Sequence, residues 1–298
     1  MSITLFHAEL SKPGGRDENQ DTAKSHITAV LSQFVVADGV GRHGGGSLAS
    51  KAAAEQMLDA TPIPAKDALT PNDSFSSQGL LQRFEQAHRH LKQQQTQDQA
   101  LAHMATTLVI LMIREQQALW GHVGDSRLYL FRAGQIHHQT KDHSVPQMLV
   151  TSGDITAAEI RHHPDRNRLL RAVGDQRESL GARVHGQESL QAGDAFLLCT
   201  DGFWEYVDEE AMLTCLYQSQ NPQHWLQRME QQCLLPAVEK ERLAKDLETP
   251  GNDNYTAIAI WVVEKPGAAL HVNEWTDIAH GLSLLKRGVV HLFRRLKT

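Results

Sequence analysis

The segment ALWGHVGDSRLYLFRAGQIHH, residues Ala118–His138, holds strand-like pieces at 118–123 and 127–131 separated by tight polar breaks. Gly124-Asp125-Ser126 is too short for a helical crossover, and Ala133-Gly134 reads as a hairpin turn. Parallel neighbours need a connection of about a dozen residues or more, so strands this close together pair antiparallel. Working outward, short runs rich in Val, Ile, Leu and aromatic residues at 27–37, 106–113, 195–199 and 256–263 predict further buried strands. Helical patterns lie between them, at Ser47–Leu58, Leu80–Gln95, Val145–Thr151, Glu209–Tyr217 and about Trp225–Leu247, the last broken or kinked by Pro236. Two long helices follow the first strand and several strands then come in succession, which is a mixed pattern and not a regular βαβ alternation. Loops rich in Pro, Ser and Asp are expected at 61–78 and 248–254.

A chain of 298 residues with 41% hydrophobic content can bury a sizeable core. Its net charge of -6 carries no electrostatic footprint for nucleic acid. The three cysteines sit at neither disulfide-framework nor metal spacing, which fits a reducing cytoplasm. The N-terminus has no signal-peptide pattern, and no apolar run is long enough to span a bilayer, so a soluble cytoplasmic protein is expected. The seventeen histidines are scattered, and the adjacent pairs His137-His138 and His162-His163 point in different directions on any regular element, so no histidine metal site is predicted. From residue 265 onward the character changes. The tail 265–298 is an apolar helix-like pattern ending in Lys286, Arg287, Arg294, Arg295 and Lys297. It either docks on an anionic membrane surface or packs on the domain or a partner; packing is favoured, because basic residues also suit a helix C-terminus.

The carboxylates carry the chemistry. VVADGVGRHGGG (Val35–Gly46) runs apolar, reaches Asp38, and then turns glycine-rich, leaving room for backbone to approach an ion or phosphate. The arrangement recurs at Asp201 in FLLCTDGFWEYVD and is inverted at Asp253 in NDNYTAIAI, where the acid leads into a strand. Asp125 lies in the break between two strands, and GGRDENQDT supplies Arg16, Asn19 and Asp21. If such isolated acids converge they repel one another unless a cation holds them. Oxygen ligands without Cys or paired His favour Mg²⁺ or Mn²⁺. Two such ions bridging a water make hydroxide near neutral pH, and an arginine grips phosphate bidentately, which together suit hydrolysis of a phosphate ester.

From Arg16 to Val263 these blocks resemble the metal-dependent PPM/PP2C protein serine/threonine phosphatases in their bacterial form. RDENQD is similar to the family's R-x-x-N-Q-D, VVADGVGRHGGG to its D-G-x-G-G-H block and MATTLVILMI to its threonine-rich strand, with GHVGDSRLYLF, TKDHS, RHHPDRNRLLRAVG, LLCTDGFWEYV and NDNYTAIAI following in the family's order. The resemblance implies an α+β fold, a central β-sandwich of two antiparallel sheets flanked by helices on both sides, as one domain over 1–264. It implies that Asp38 bridges two Mn²⁺ or Mg²⁺ ions, that the Gly39 carbonyl ligates one of them, and that Asp201 and Asp253 complete the first. Asp21 would hold metal-bound water, Arg16 would bind substrate phosphate, and Asp125 with Asp201 would contribute to a third, weaker site. Asn254 would orient its neighbour, and the segment 143–174 would be the flap beside the active site, shaping substrate choice.

The chain departs from the family pattern in places. Val40 stands where animal members carry a histidine, so no leaving-group acid is assigned there. His43 resembles the bacterial histidine further on and is read as bracing the glycine loop. Arg42 replaces a usual glycine, and Gln20 stands in place of glutamate, leaving the second metal fewer protein ligands. The implied activity is hydrolysis of phosphoserine and phosphothreonine in proteins by a metal-bridging hydroxide, reversing a bacterial Ser/Thr kinase. The rival readings are a non-catalytic phosphoprotein-binding module of the same fold and a phosphatase for small molecules or an anti-sigma-type regulator.

Overall fold

The computed structural model describes residues 3–41, 44–58, 75–244 and 252–264. Within these residues the strands are, in chain order, β1 (Ile3–Lys12), β2 (Asp21–Ile27), β3 (Ser32–Val40), β4 (Ala105–Thr106), β5 (Leu108–Arg114), β6 (Gln117–Val123), β7 (Arg127–Arg132), β8 (Gln135–Gln139), β9 (Arg183–Ser189), β10 (Ala195–Cys199) and β11 (Tyr255–Glu264). One sheet runs β1-β11-β10-β7-β8 and the other β2-β3-β5-β6-β9, with β4 paired to β3. Every ladder is antiparallel. The helices are α1 (Gly45–Leu58), α2 (Ser77–Gln97), α3 (Val145–Ser152), α4 (Asp201–Trp204), α5 (Glu209–Tyr217), α6 (Pro222–Met229) and α7 (Leu235–Ala244).

The apolar runs are continuous because both faces of each central strand are covered. On β3, Phe34 and Val36 enter the layer between the sheets with Leu111, Trp120, Leu130, Phe196 and Ile258. Their neighbours Val35 and Ala37 face the other way, beneath α1 and α2, with Ala53, Met57, Phe84 and Leu91. The opposite sheet does the same: Leu197, Cys199 and Ala257 pack under Met212 of α5 and Trp225 and Met229 of α6. The result is the four-layer helix-sheet-sheet-helix sandwich expected.

Three details differ from the sequence reading. The run 27–37 is not one strand. Ile27 ends β2 and Ser32 begins β3, with a turn between them in which Thr28 Oγ1 accepts from the Leu31 amide at 3.0 Å and donates to the Leu31 carbonyl at 2.9 Å. Strands β1, β2 and β9 were not predicted, whereas Ala133-Gly134 joins β7 to β8 as the expected hairpin turn; β1 buries only Ala8 and β9 buries nothing fully, so neither carries an apolar run. The helix over 225–247 is interrupted by a π-helical turn at Glu230–Leu234 just before Pro236, which has no amide proton to continue the α-helical ladder. The tail 265–298, His43, and most of the loops at 61–78 and 248–254 lie outside the described residues.

Candidate metal centre

One end of the sandwich gathers the acids. Asp38 sits near the end of β3, directly opposite Asp21 at the start of β2. Asp125 lies in the turn from β6 to β7, Asp201 opens α4 straight after β10, and Asp253 precedes β11. Oxygen atoms of Asp38, Asp125 and Asp201 all lie within 4.8 Å of one another. Asp125 and Asp21 are buried.

This convergence is electrostatically costly. Burial, followed by the charges of Asp201, Asp21, Asp125 and Asp253, holds the Asp38 carboxyl well above the usual carboxylate range. Burial and the Asp201 and Asp142 charges do the same to Asp125, against the smaller opposing pull of its own backbone and of Arg127. Asp21 is pushed up to about 7 by burial and the Asp201 and Asp253 charges, offset by the hydrogen bond from Thr200. Asp201 is pushed up to about 7 by burial, Glu205 and Asp253, offset by the Gly202 amide. Asp21 Oδ1 is buried with no hydrogen-bond partner among the described residues. Converging hard oxygen donors, one of them orphaned, fit a divalent cation of the Mg²⁺ or Mn²⁺ kind.

Backbone and hydroxyl contacts hold the acids in place. The Asp38 amide donates to Thr107 Oγ1 at 2.9 Å, and the Asp38 carbonyl accepts from Thr106 Oγ1 and the Thr107 amide, both at 2.8 Å. Thr107 Oγ1 and Ser126 Oγ share a hydrogen bond of 2.7 Å, which ties β5 to the Asp125 turn. Trp204 Nε1 donates to the Asp125 carbonyl at 2.9 Å, and the Arg127 guanidinium lies 3.4 Å from the centre of that ring. Arg127 itself is committed to Asp142 through two bonds of 2.9 and 2.8 Å. Thr200 Oγ1 donates to Asp21 Oδ2 at 2.9 Å. Thr107, Ser126, Thr200 and Trp204 are not among the site residues expected from sequence, although they lie in the MATT, GDS and CTDGFW blocks.

Asp253 is arranged differently. Its Oδ2 accepts from Arg16 Nη2 at 3.1 Å in an exposed pair, and its Oδ1 accepts from the Asn254 amide at 2.8 Å. Asp253 therefore stands apart from the tight group of three, although its charge reaches Asp38, Asp21 and Asp201. Asn254 ties the Arg16 loop to β11: its Oδ1 accepts from the Gln20 amide at 2.8 Å, and its Nδ2 donates to the carbonyls of Pro13 and Glu18 at 2.8 and 2.9 Å. Gln20 is a strut, its carbonyl accepting from Ser50 Oγ at 2.6 Å and the Gly39 amide at 3.2 Å. Gly39 and Gly202 are obligatory: a Cβ would lie 2.1 Å from the Gly46 carbonyl oxygen at the first and 2.1 Å from that of Asn254 at the second. The segment 143–174 is anchored beside the site by Arg161 Nη2 to Glu209 at 2.6 Å and Arg166 Nε to Glu205 at 3.0 Å.

Comparison with known proteins agrees with this geometry. The family model described as protein phosphatase 2C matches residues 15–249. Protein phosphatase PhpP of Streptococcus pneumoniae is 31% identical over 193 residues, 64% of this chain and 76% of that protein. Serine/threonine protein phosphatase PstP of Mycobacterium tuberculosis is 33% identical over 220 residues, 72% of this chain and 40% of that protein. The crystal structure of the PstP catalytic domain in complex with two manganese ions superposes with a TM-score of 0.67 at 26% identity, covering 88% of this chain and all of that one. Among the described residues no helix is long and apolar enough to cross a membrane.

Proposed function

The chain belongs to the protein phosphatase 2C family and is a metal-dependent protein serine/threonine phosphatase, and from that premise we propose how its residues divide the work. Asp38, the Gly39 carbonyl, Asp201 and Asp253 would hold the ions, Asp21 would position water beside them, and Asp125 with Asp201 would form a third, weaker site. Bound Mn²⁺ or Mg²⁺ supplies a water acidic enough to ionise near neutral pH and positive charge opposite the phosphate. Arg16 leaves its exposed pairing with Asp253 to grip two phosphate oxygens and stabilise the charge that develops on them. Asn254 keeps the Arg16 loop and Asp253 in register with β11 through its hydrogen bonds to Gln20, Pro13 and Glu18. Residues 143–174 form the wall against which the rest of the phosphoprotein lies.

The observation that carries this reading is the meeting of three carboxylates within 4.8 Å, without a side-chain cation bridging them among the described residues. The relatives are named for phosphatase activity, which disfavours a purely binding module. We place the enzyme in the cytoplasm, in keeping with three unpaired cysteines, opposite a Ser/Thr kinase; the tail 265–298 serves partner binding in preference to a membrane surface. The domain is 1–264. Hydrolysis of a phosphothreonine peptide tests the scheme: turnover is expected with Mn²⁺ or Mg²⁺, none with EDTA, and a loss of at least ~100-fold in kcat for Asp38→Asn. Turnover that survives EDTA would contradict it.

A further inference from the structure

The histidines set aside on sequence spacing come together in space. Side chains of β6, β8 and β9, with Lys141, line an open cavity of about 250 Å³ walled by Trp120, His122, His138, Lys141, Arg183 and His185. The β6-β9 ladder slips between Ala118 and Trp120, which sets Trp120 opposite His185. His185 stacks on the indole at 4.2 Å with 7° between the planes, and His138 meets it edge-on at 5.1 Å. Trp120 is 1% exposed, and its Nε1 donor has no partner among the described residues. The indole is the buried floor of the cavity, and the half-buried rings of His138 and His185 are what a ligand meets.

The charge of the wall defines that ligand. No carboxylate lines the cavity. Of the acids nearby, Glu188 is held by Arg132 at 2.8 Å and lies 3.8 Å from His185 Nε2, while Asp142 is held by Arg127. Burial and the neighbouring imidazoles push His138 down to about 4, and burial lowers His122 from the usual imidazole range. The positive charge is that of Lys141 and Arg183. A wall of flat rings with two cations at its exposed edge suits a planar ring carrying an acid group, and the volume admits one or two fused rings but not a drug-sized molecule.

The cavity is also wired to the metal centre. His122 stacks on His143 at 4.9 Å with 13° between the rings. His143 clasps Gly124 from both sides: its amide donates to the Gly124 carbonyl at 2.8 Å, and its Nδ1 accepts from the Gly124 amide at 3.3 Å. Gly124, at φ +95°, is the residue before Asp125. A shift of His122 is therefore passed through one ring and one turn to a carboxylate of the acid cluster.

We propose that this cavity is a regulatory site for a small planar aromatic acid, whose occupancy alters the setting of the Gly124-Asp125 turn. Binding does not depend on the metal assignment above; the coupling rests on reading Asp125 as a metal ligand. The test is calorimetric titration of the full, Mn²⁺-loaded chain with 1-naphthoate, with acetate, naphthalene-1-methanol and inorganic phosphate as the arms lacking ring, charge and ring respectively. Naphthoate alone is expected to saturate at one site, with affinity falling at least ~10-fold in Arg183→Ala and in Lys141→Ala; Asp38→Asn should keep saturable binding, its affinity moved only by the lost coupling to Mn²⁺, which places the site away from the acid cluster. Separately, Mn²⁺ titration followed by electron paramagnetic resonance is expected to show the weakest site shifted at least ~3-fold by naphthoate, with naphthoate affinity shifted reciprocally by Mn²⁺. His143→Phe, which keeps the stacked ring but loses the Gly124 acceptor, should retain naphthoate binding and lose the shift. No saturable naphthoate binding, equal binding of phosphate, or indifference to Arg183→Ala overturns the site. Binding without any shift in Mn²⁺ affinity overturns the regulatory role.

Discussion

Asp38→Asn should make the metal-free protein more stable while destroying its activity. Without ions, Asp38 is a half-buried acid whose charge is opposed by four others, and Asp21 and Asp201 are each pushed up to about 7 by burial and by the same crowding. A displacement of three pH units at about 1.4 kcal/mol per unit amounts to about 4 kcal/mol for one such group well above pH 7. The acids share one repulsion and their costs do not add, so deleting one charge should recover roughly 1–3 kcal/mol, or about 3–8 °C in Tm for a domain of this size. The pH sign follows from raised folded-state values. The stability contributed by Asp21 and Asp201 is complete below their unfolded pKa near ~4 and is lost as pH rises through about 7. In EDTA the wild-type Tm should therefore fall between about pH 4 and 7, the variant's should fall less, and the two should converge near pH 4. Saturating Mn²⁺ reverses the order: at a hundredfold excess over Kd each site stabilises the wild type by about 2.7 kcal/mol, and the variant should lose most of that gain. Differential scanning fluorimetry at three pH values, with EDTA and with Mn²⁺, reads all of this. A variant less stable than wild type in EDTA at pH 8, or one with an undiminished Mn²⁺ gain, would refute the idea that repulsion among these acids is what the ions relieve.

Trp204→Phe removes the donor to the Asp125 carbonyl and some buried volume, and should cost ~2–4 kcal/mol in urea unfolding while weakening Mn²⁺ binding; an unchanged midpoint would mean the indole is not holding the turn. Thr107→Val keeps the shape but strips the acceptor for the Asp38 amide and the link to Ser126. Mn²⁺ affinity by calorimetry is expected to fall ~10–100-fold, and a wild-type isotherm would count against a positioning role. Arg16→Ala breaks an exposed ion pair, so stability should change by less than ~1 kcal/mol while KM for a phosphothreonine peptide rises at least ~10-fold; a large Tm loss with normal KM would reverse that assignment.

The parts of this molecule that were legible in its sequence are those where one local pattern reports one physical demand. Strands β5, β6, β7, β10 and β11 are buried on both faces, so they read as apolar runs. Acids at strand ends followed or preceded by glycine or asparagine read as loop-borne ligands, and the structure brings Asp38, Asp125 and Asp201 together. What was hidden lies at the edges and across long separations. Strand β1 mixes exposed and half-buried positions, and the turn at Thr28 contains no Gly, Pro or Asn, so a strand boundary passed inside what looked like one run. The bonds from Trp204 to Asp125 and from Asp38 to Thr107 join residues 79 and 69 apart, and no spacing rule connects them. The histidine cluster was hidden for the same reason, since rings from β6, β8 and β9 meet only after the two sheets are assembled.

The distribution of positive charge explains why so many acids are tolerated at one end of the fold. Arg127 lies two residues from Asp125 and is buried, but Asp142 takes its guanidinium in two hydrogen bonds and Trp204 covers its face. Arg16 reaches the cluster only at its exposed rim, through Asp253. The acids themselves are positioned by neutral groups, the hydroxyls of Thr106, Thr107 and Thr200 and the indole of Trp204, which fix geometry without cancelling charge. A lysine or arginine folded into the cluster would lower its electrostatic cost and stabilise the chain, but it would also compete with a metal for the same oxygens. By committing its nearby buried arginine elsewhere, the fold keeps a standing deficit of positive charge, and that deficit is the source of the affinity a divalent ion finds there.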